Sequence, residues 1–294
     1  MYKNPLIQSI GSPTFANAGI SADTLRLDLI HPEISGNKWY KLKYHLERAV
    51  ASGKKGMLSF GGAYSNHLVA MAFACREKTI PCAAVIRGEE PPVYGPSLQQ
   101  MSDYGMELHF VSREEYKQKE QLTARFANDY YIVPEGGAGI EGIKGASEIM
   151  QFPGNDHYTH ILCSVGTGTT MAGIINGSQK NQKVIGISSL KVNDPVNNEL
   201  ISYIKEFSNS NNYEILFNYH FGGYAKKRTE LISFMNRLYR EESIPVDFVY
   251  TGKLFYAAYD LTTKNYFPVG SRLLIIHSGG LQGNRSLEKG TLIF

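Results

Sequence analysis

The chain is poor in several features at once, and each shortage excludes a class of protein. Its 294 residues include only three cysteines, Cys75, Cys82 and Cys163. No two of them stand at metal-ligand spacing and each sits in apolar surroundings. Structural zinc and a disulfide framework are therefore set aside, no metal is expected, and the three read as small buried hydrophobes of a reducing cytoplasm. No apolar run approaches the ~20 residues of a membrane span, and the opening Met1-Tyr2-Lys3-Asn4-Pro5 has no signal-like apolar stretch, so a cytoplasmic protein without membrane contact is expected. Charge of one sign is missing too. A net charge of +3, with acidic and basic residues mixed along the chain, leaves no electrostatic footprint for nucleic acid, and Lys226-Lys227-Arg228 reads as a solvated turn. There is no repeat of fixed period and no low-complexity tract.

What is present describes an ordinary globular protein, 43% hydrophobic and 19% charged. The length exceeds the ~100 to 200 residues usual for one domain, so two domains or one large α/β domain are both open. Strand-like and helix-like segments alternate. Thr24–Ile30 alternates as a strand, and from Trp39 the apolar positions Leu42, Leu46, Ala49 and Val50 recur at helical spacing. Then come a strand at 56–60, a helix at 66–76, a strand at 82–86, a helix at 97–104, a strand at 107–111, a helix at 113–128 and a strand at 130–133. A second series follows, with strands at 160–165, 184–187 and 272–276 and helices at 171–176 and 231–240. Such alternation predicts parallel sheets with helices on their faces, and two α/β units.

Chemistry gathers where predicted strands end in glycine. Lys38 lies in Ser35-Gly36-Asn37-Lys38-Trp39-Tyr40-Lys41-Leu42, between a strand with its short loop and an apolar helical stretch, a setting in which a lysine can hold an aldehyde cofactor. Lys41, three residues on, reads as a surface or ion-pairing residue. Gly166-Thr167-Gly168-Thr169-Thr170 is either a plain tight turn or a phosphate cup, in which glycines let the backbone approach, hydroxyls donate and a helix N-terminus favours a dianion. The glycine-lysine pair of an ATP-type loop is absent. In Gly62-Ala63-Tyr64-Ser65-Asn66-His67, Ser65 is the expected N-cap, and the same helix start would suit a carboxylate.

The Gly-Asn-Lys-x-x-Lys-Leu segment, the Ser65-Asn66-His67 helix start, the Gly-Thr-Gly-Thr loop, Tyr250-Thr251-Gly252-Lys253 and His277-Ser278-Gly279-Gly280 together resemble the ACC deaminase/D-cysteine desulfhydrase family. The motifs run in family order from about residue 35 to residue 282. Glu135-Gly136-Gly137 is similar to that family's Pro-Glu-Gly-Gly loop.

The resemblance implies pyridoxal 5'-phosphate (PLP) as cofactor and a tryptophan synthase β-like fold, PLP fold type II. That fold has two open parallel-sheet α/β domains, here residues 1–45 with 141–294 as the large PLP-binding domain and 46–140 as the small substrate-closing one. It implies that Lys38 bonds PLP covalently and then moves the substrate Cα proton, and that Asn66 faces the cofactor's phenolic oxygen. Ser65 and His67, beside Asn66, would hold the substrate carboxylate. Gly166, Thr167, Gly168, Thr169 and Thr170 would take the phosphate, and Ser278 would face the pyridine nitrogen. Ser65, Tyr250 and Tyr224 join Lys38 as catalytic candidates, although with 19 tyrosines in the chain either tyrosine also reads as packing.

ACC deaminases of the family carry glutamate after the tyrosine of Tyr-x-Gly-Lys and leucine before the last glycine pair. Thr251 and Ser278 stand there instead, as in D-cysteine desulfhydrases. Tyr40 and Trp39 depart from the usual residues of the lysine segment. The expected activity is PLP-dependent α,β-elimination on a small D-amino acid, D-cysteine desulfhydrase-like, giving pyruvate, ammonia and sulfide. The alternatives are a 1-aminocyclopropane-1-carboxylate (ACC) deaminase giving 2-oxobutyrate, and a catalytically silent PLP-binding protein. A homodimer is implied, with a small amino acid as the other partner.

Overall fold

A computed structural model describes residues 4–34, 36–194 and 198–294; Ser35 of the lysine segment and Met1-Tyr2-Lys3 lie outside the described residues. The chain divides into two compact units, a larger one of Met1–Asn37 with Ala146–Phe294 and a smaller one of Lys38–Gly145. It opens with β1 (Leu6–Ser9), α1 (Pro13–Asn17) and β2 (Ser21–Arg26). The middle stretch comprises α2 (Asn37–Ala51), β3 (Gly56–Gly62), α3 (Asn66–Glu77), β4 (Cys82–Arg87), α4 (Pro96–Asp103), β5 (Glu107–Val111), α5 (Lys119–Phe126), β6 (Tyr130–Ile132) and α6 (Ile140–Ser147). The last stretch adds β7 (His160–Val165), α7 (Thr169–Gly177), β8 (Lys183–Ser188), α8 (Glu199–Phe207), β9 (Tyr213–Leu216), α9 (Thr229–Glu242), α10 (Thr251–Thr263) and β10 (Arg272–His277).

The larger unit is built on a sheet of order β1-β2-β10-β7-β8-β9, parallel throughout except that β1 runs against β2. Its central strands β10, β7 and β8 are largely apolar, as strands covered on both faces must be. In β10 Leu273 to His277 are all buried, and Leu162, Ile185, Leu273 and Ile275 pack with Phe234 of α9 and Leu254 and Phe255 of α10. The smaller unit carries a wholly parallel sheet of order β5-β4-β3-β6, with Leu58, Phe60, Ala83 and Val85 at its core beside Tyr116 and Leu122. All three cysteines are free and buried. Among the described residues no helix is long and apolar enough to cross a membrane.

Two elements differ from expectation. The strand expected to Ile30 stops at Arg26, whose guanidinium binds Asp28 at 2.8 and 2.7 Å, both side chains buried, while residues 27–29 close a 3-10 turn. That ion pair turns the chain inward, which a continued strand would not allow. The helix expected over 113–128 is likewise broken. Ser112 Oγ accepts from Glu115 N at 3.1 Å to start one 3-10 turn, Gln118 takes ψ +56°, and α5 begins only at Lys119.

Candidate active site

In the larger unit β7 runs into the Gly166–Gly168 turn and α7 begins at Thr169. Gly168 sits at φ +86°, where a Cβ would lie 2.8 Å from Leu200 Cδ1, so only glycine fits the turn. No side chain caps α7. The first amides of a helix have no partner within it, and here they stay available to an anion. Thr169 and Thr170 are buried, Thr167 is exposed, and Thr169 Oγ1 lies 3.4 Å from Thr167 Oγ1 and 3.3 Å from Tyr203 Oη. A Cβ on Gly166 would come 3.2 Å from the Tyr250 ring, which meets the half-exposed Tyr224 edge-on with centroids 5.9 Å apart.

Asn37 joins this cup to the last glycine pair. Its side-chain amide donates to Thr170 Oγ1 at 2.8 Å, and its backbone N–H donates to the Ser278 carbonyl at 3.1 Å. Gly36 makes the approach possible, for at φ +76° a Cβ there would stand 1.9 Å from Ser278 O. The residue directly before Lys38 is thus tied both to the cup and to the residue expected at the cofactor ring. His277 supports the same turn: its Nε2 pairs with Pro245 O at 2.6 Å, and its Nδ1 accepts from Gly279 N at 3.3 Å.

In the smaller unit Lys38 is the second residue of α2 and half-buried. Ser65 caps α3, its Oγ accepting from Leu68 N at 3.3 Å, which leaves its own proton free to donate. Asn66 opens the helix and His67 follows, buried. His67 Nε2 lies 2.9 Å from Ser59 Oγ, and Ser59 donates to Val133 O at 2.8 Å. Burial, then the charges of Lys41, Lys38 and His45, hold the His67 imidazole well below its ordinary pKa. Carboxylate binding by this side chain would need a proton on Nδ1, which the Ser59 arrangement withholds. The Ser65 hydroxyl keeps its proton to give.

Lys41 also departs from expectation. It is 4% exposed and donates to the Gly136 carbonyl, and burial together with the Lys38 charge keeps its amine well below the usual lysine value. One turn on, His45 bonds Tyr131 Oη and Ala138 O, each at 3.0 Å. Lys41 and His45, spaced i and i+4, hold both sides of the Gly136–Ala138 loop.

A lysine at a helix start, an uncapped helix N-terminus lined by buried threonines and a serine at the end of β10 are the donors that a phosphate-bearing aldehyde requires, so the residues present fit PLP. A model of the family described as pyridoxal-phosphate dependent enzyme matches residues 5–279. The chain belongs to that family.

This PLP-dependent enzyme is 28% identical over 275 residues to a putative 1-aminocyclopropane-1-carboxylate deaminase of Pyrococcus horikoshii, covering 88% of this chain and 84% of that one. It is 28% identical over 290 residues to the mitochondrial bifunctional D-cysteine desulfhydrase/1-aminocyclopropane-1-carboxylate deaminase of Arabidopsis thaliana, covering 88% and 72%. A solved ACC deaminase homologue superposes with a TM-score of 0.80 at 26% identity, over 96% of this chain and 91% of that one. The fold is the type II fold of PLP enzymes.

Sequence reasoning missed several of the enzyme's residues. Asn37 was read only as part of a motif. Asp247, whose carboxylate accepts from Val249 N, Tyr250 N, Thr251 N and Thr251 Oγ1 at 2.6 to 2.9 Å, builds the turn that carries Tyr250 into α10. Lys253 is 1% exposed and donates to Gly223 O at 2.9 Å, beside Tyr224, and burial pushes its amine down to about 8 against the opposing pull of Asp247. A helix-start Asp four residues before Thr251 was a legible cap signal; the Lys253 contact across 30 residues was not.

Proposed function

We propose that the enzyme is a lyase acting on a small D-amino acid with a leaving group on the β-carbon, D-cysteine being the first candidate. The balanced reaction is D-cysteine plus water giving pyruvate, ammonia and hydrogen sulfide. Bound PLP supplies an electron sink that acidifies the Cα–H bond of an attached amino acid. Lys38, at the start of α2, takes the Cα proton on Nζ. The Ser65 hydroxyl, the Asn66 amide and the first backbone amides of α3 orient the substrate carboxylate. Thr169, Thr170 and the first amides of α7 hold the phosphate, and the Ser278 hydroxyl serves the pyridine nitrogen. A neutral hydroxyl there does not enforce ring protonation, which suits loss of a good leaving group.

The observation that favours elimination over cyclopropane opening is Thr251. It is fully buried, its Oγ1 donates to Asp247 Oδ1 at 2.6 Å and accepts from Asp247 N at 2.8 Å, and it is therefore closed off within its own turn where ACC deaminases carry glutamate. The test is product analysis on the PLP-loaded protein. Pyruvate from D-cysteine with no 2-oxobutyrate from ACC supports the proposal. 2-Oxobutyrate from ACC would replace it with the deaminase, and cofactor binding without either product would leave a silent PLP-binding protein. Lys38→Ala is expected to abolish turnover and borohydride trapping of PLP on the protein, and retained activity would refute the role given to Lys38.

A further inference from the structure

The carboxyl ends of β2 and β10 lie side by side in the larger unit, with Arg26 and His277 in register on neighbouring parallel strands. His277 is fully buried, and the side chains of Arg26 and Asp28 are buried beside it. Pro245 O, 2.6 Å from His277 Nε2, can only accept, so Nε2 carries a proton. Two groups then compete for Nδ1. Gly279 N–H donates to it at 3.3 Å, and Asp28 Oδ1 stands at the same 3.3 Å. Arg26 decides between them. Its guanidinium grips both Asp28 oxygens, at 2.8 and 2.7 Å, so the carboxylate charge is matched without a proton from the ring. Nδ1 is thus left as the acceptor for the Gly279 amide.

The same cluster meets the segment that leads to Lys38. Gly36 N–H donates at 2.7 Å to Leu27 O, the carbonyl between Arg26 and Asp28, and Asn37 N–H donates at 3.1 Å to the Ser278 carbonyl, directly after His277. Ser278 is therefore held on one side by Asn37 and on the other, through Gly279, by His277. Gly279 and Gly280 stand at φ +76° and +93°, and two consecutive glycines do not fix a turn by their own torsional preferences. Ser278 itself is half-buried, and its hydroxyl makes no hydrogen bond among the described residues. Resting on the reading that this hydroxyl serves the cofactor's pyridine nitrogen, we infer that His277 is a positioning residue for it. His277 anchors the Gly279 amide through Nδ1, and the Arg26–Asp28 pair keeps Nδ1 available for that bond. It acts through the turn that follows it.

The test uses cofactor-free protein and two probes, PLP and 1-deaza-PLP, which has C–H in place of the pyridine nitrogen. His277→Asn keeps an acceptor near the Nδ1 position, whereas His277→Gln keeps a donor toward Pro245 O and loses that acceptor. Both remove the ring that packs edge-on to Phe255. In fluorescence titrations the preference for PLP over 1-deaza-PLP is expected to fall about fivefold in His277→Gln and in Ser278→Ala, and to stay close to wild type in His277→Asn. Hydrogen exchange at the Gly279 amide is expected to quicken in His277→Gln and not in His277→Asn. A merely structural role would weaken both probes together in both histidine variants, and an unchanged preference in His277→Gln would overturn the inference while leaving the Ser278 reading standing. An undiminished preference in Ser278→Ala would remove that reading and the inference with it. Wild-type protein carries its own check, whether or not the variants fold. ¹⁵N NMR at neutral pH is expected to report a protonated Nε2 and an unprotonated Nδ1 at His277, and a proton on Nδ1 would overturn the inference.

Discussion

Removing the Asn37 side chain is expected to damage the fold and cofactor binding together. The Asn37 Nδ2 to Thr170 Oγ1 bond is 2.8 Å long and joins side chains of residues 8% and 7% exposed, so water cannot freely replace it. A neutral buried hydrogen bond contributes about 1 kcal/mol net, and an orphaned partner costs roughly 1–3 kcal/mol. Because the Thr170 hydroxyl can rotate, the low end applies, and Asn37→Ala should destabilise the cofactor-free protein by about 1–2 kcal/mol. That corresponds to a Tm lower by roughly 2–3 °C. Thr170 lies in the first turn of α7, so its displacement should also weaken PLP binding, by about fivefold if one phosphate hydrogen bond is lost. The assay is a double-mutant cycle of Asn37→Ala and Thr170→Val, read by urea unfolding of the cofactor-free protein and by fluorescence titration with PLP. Each single variant breaks the same bond, so the double variant should cost less than their sum by about 1 kcal/mol. Costs that add within about 0.3 kcal/mol would show that the two side chains do not cooperate and would refute the linkage.

Gly36→Ala should be the most damaging substitution near Lys38, because the new Cβ would meet backbone rather than a yielding side chain, 1.9 Å from Ser278 O at φ +76°. A loss of about 3 kcal/mol or more is expected in urea unfolding, and a loss below about 1 kcal/mol would contradict the close approach. Thr169→Ala should weaken PLP binding by about 1 kcal/mol, and unchanged affinity in the same titration would move the phosphate elsewhere. Lys253 has a signed pH dependence. Its folded pKa of about 8 lies below the unfolded value near ~10.4, so within that window the unfolded chain holds a proton that the folded one lacks, and stability rises with pH. Lys253→Met should flatten that rise, worth on the order of 3 kcal/mol, and equal slopes in wild type and variant would refute it.

The parallel α/β plan was legible because strands buried on both faces must be apolar throughout and glycine-ended turns must follow them. β7 and β10 were read to within one residue and β3 to within two for that reason. The Ser65 cap was legible from its place before an apolar run. Elements with weaker local signals were passed over. α8 is amphipathic yet follows a polar stretch, β9 is only half-buried, and α10 starts from the Asp247 turn, not from an apolar repeat. The break before α5 depends on one Ser112 hydrogen bond that no periodicity reports.

The order of residues by itself determined the class of protein and which segments carry chemistry, because glycine positions, a lysine before a helical stretch and hydroxyl-rich helix starts are local properties of the chain. Only the tertiary structure decided how those segments act on one another. Lys41 looks like a surface residue until the Gly136–Ala138 loop, some 95 residues away, closes over it and lowers its pKa. Asn37 becomes a tie between Thr170 and Ser278 only when sequence separations of 133 and about 240 residues collapse to hydrogen-bond length. The tautomer of His67 depends on Ser59 and Val133 in two different strands' neighbourhoods. Burial, proton position and close approach depend on what folds against a residue, and spacing along the chain does not carry that information.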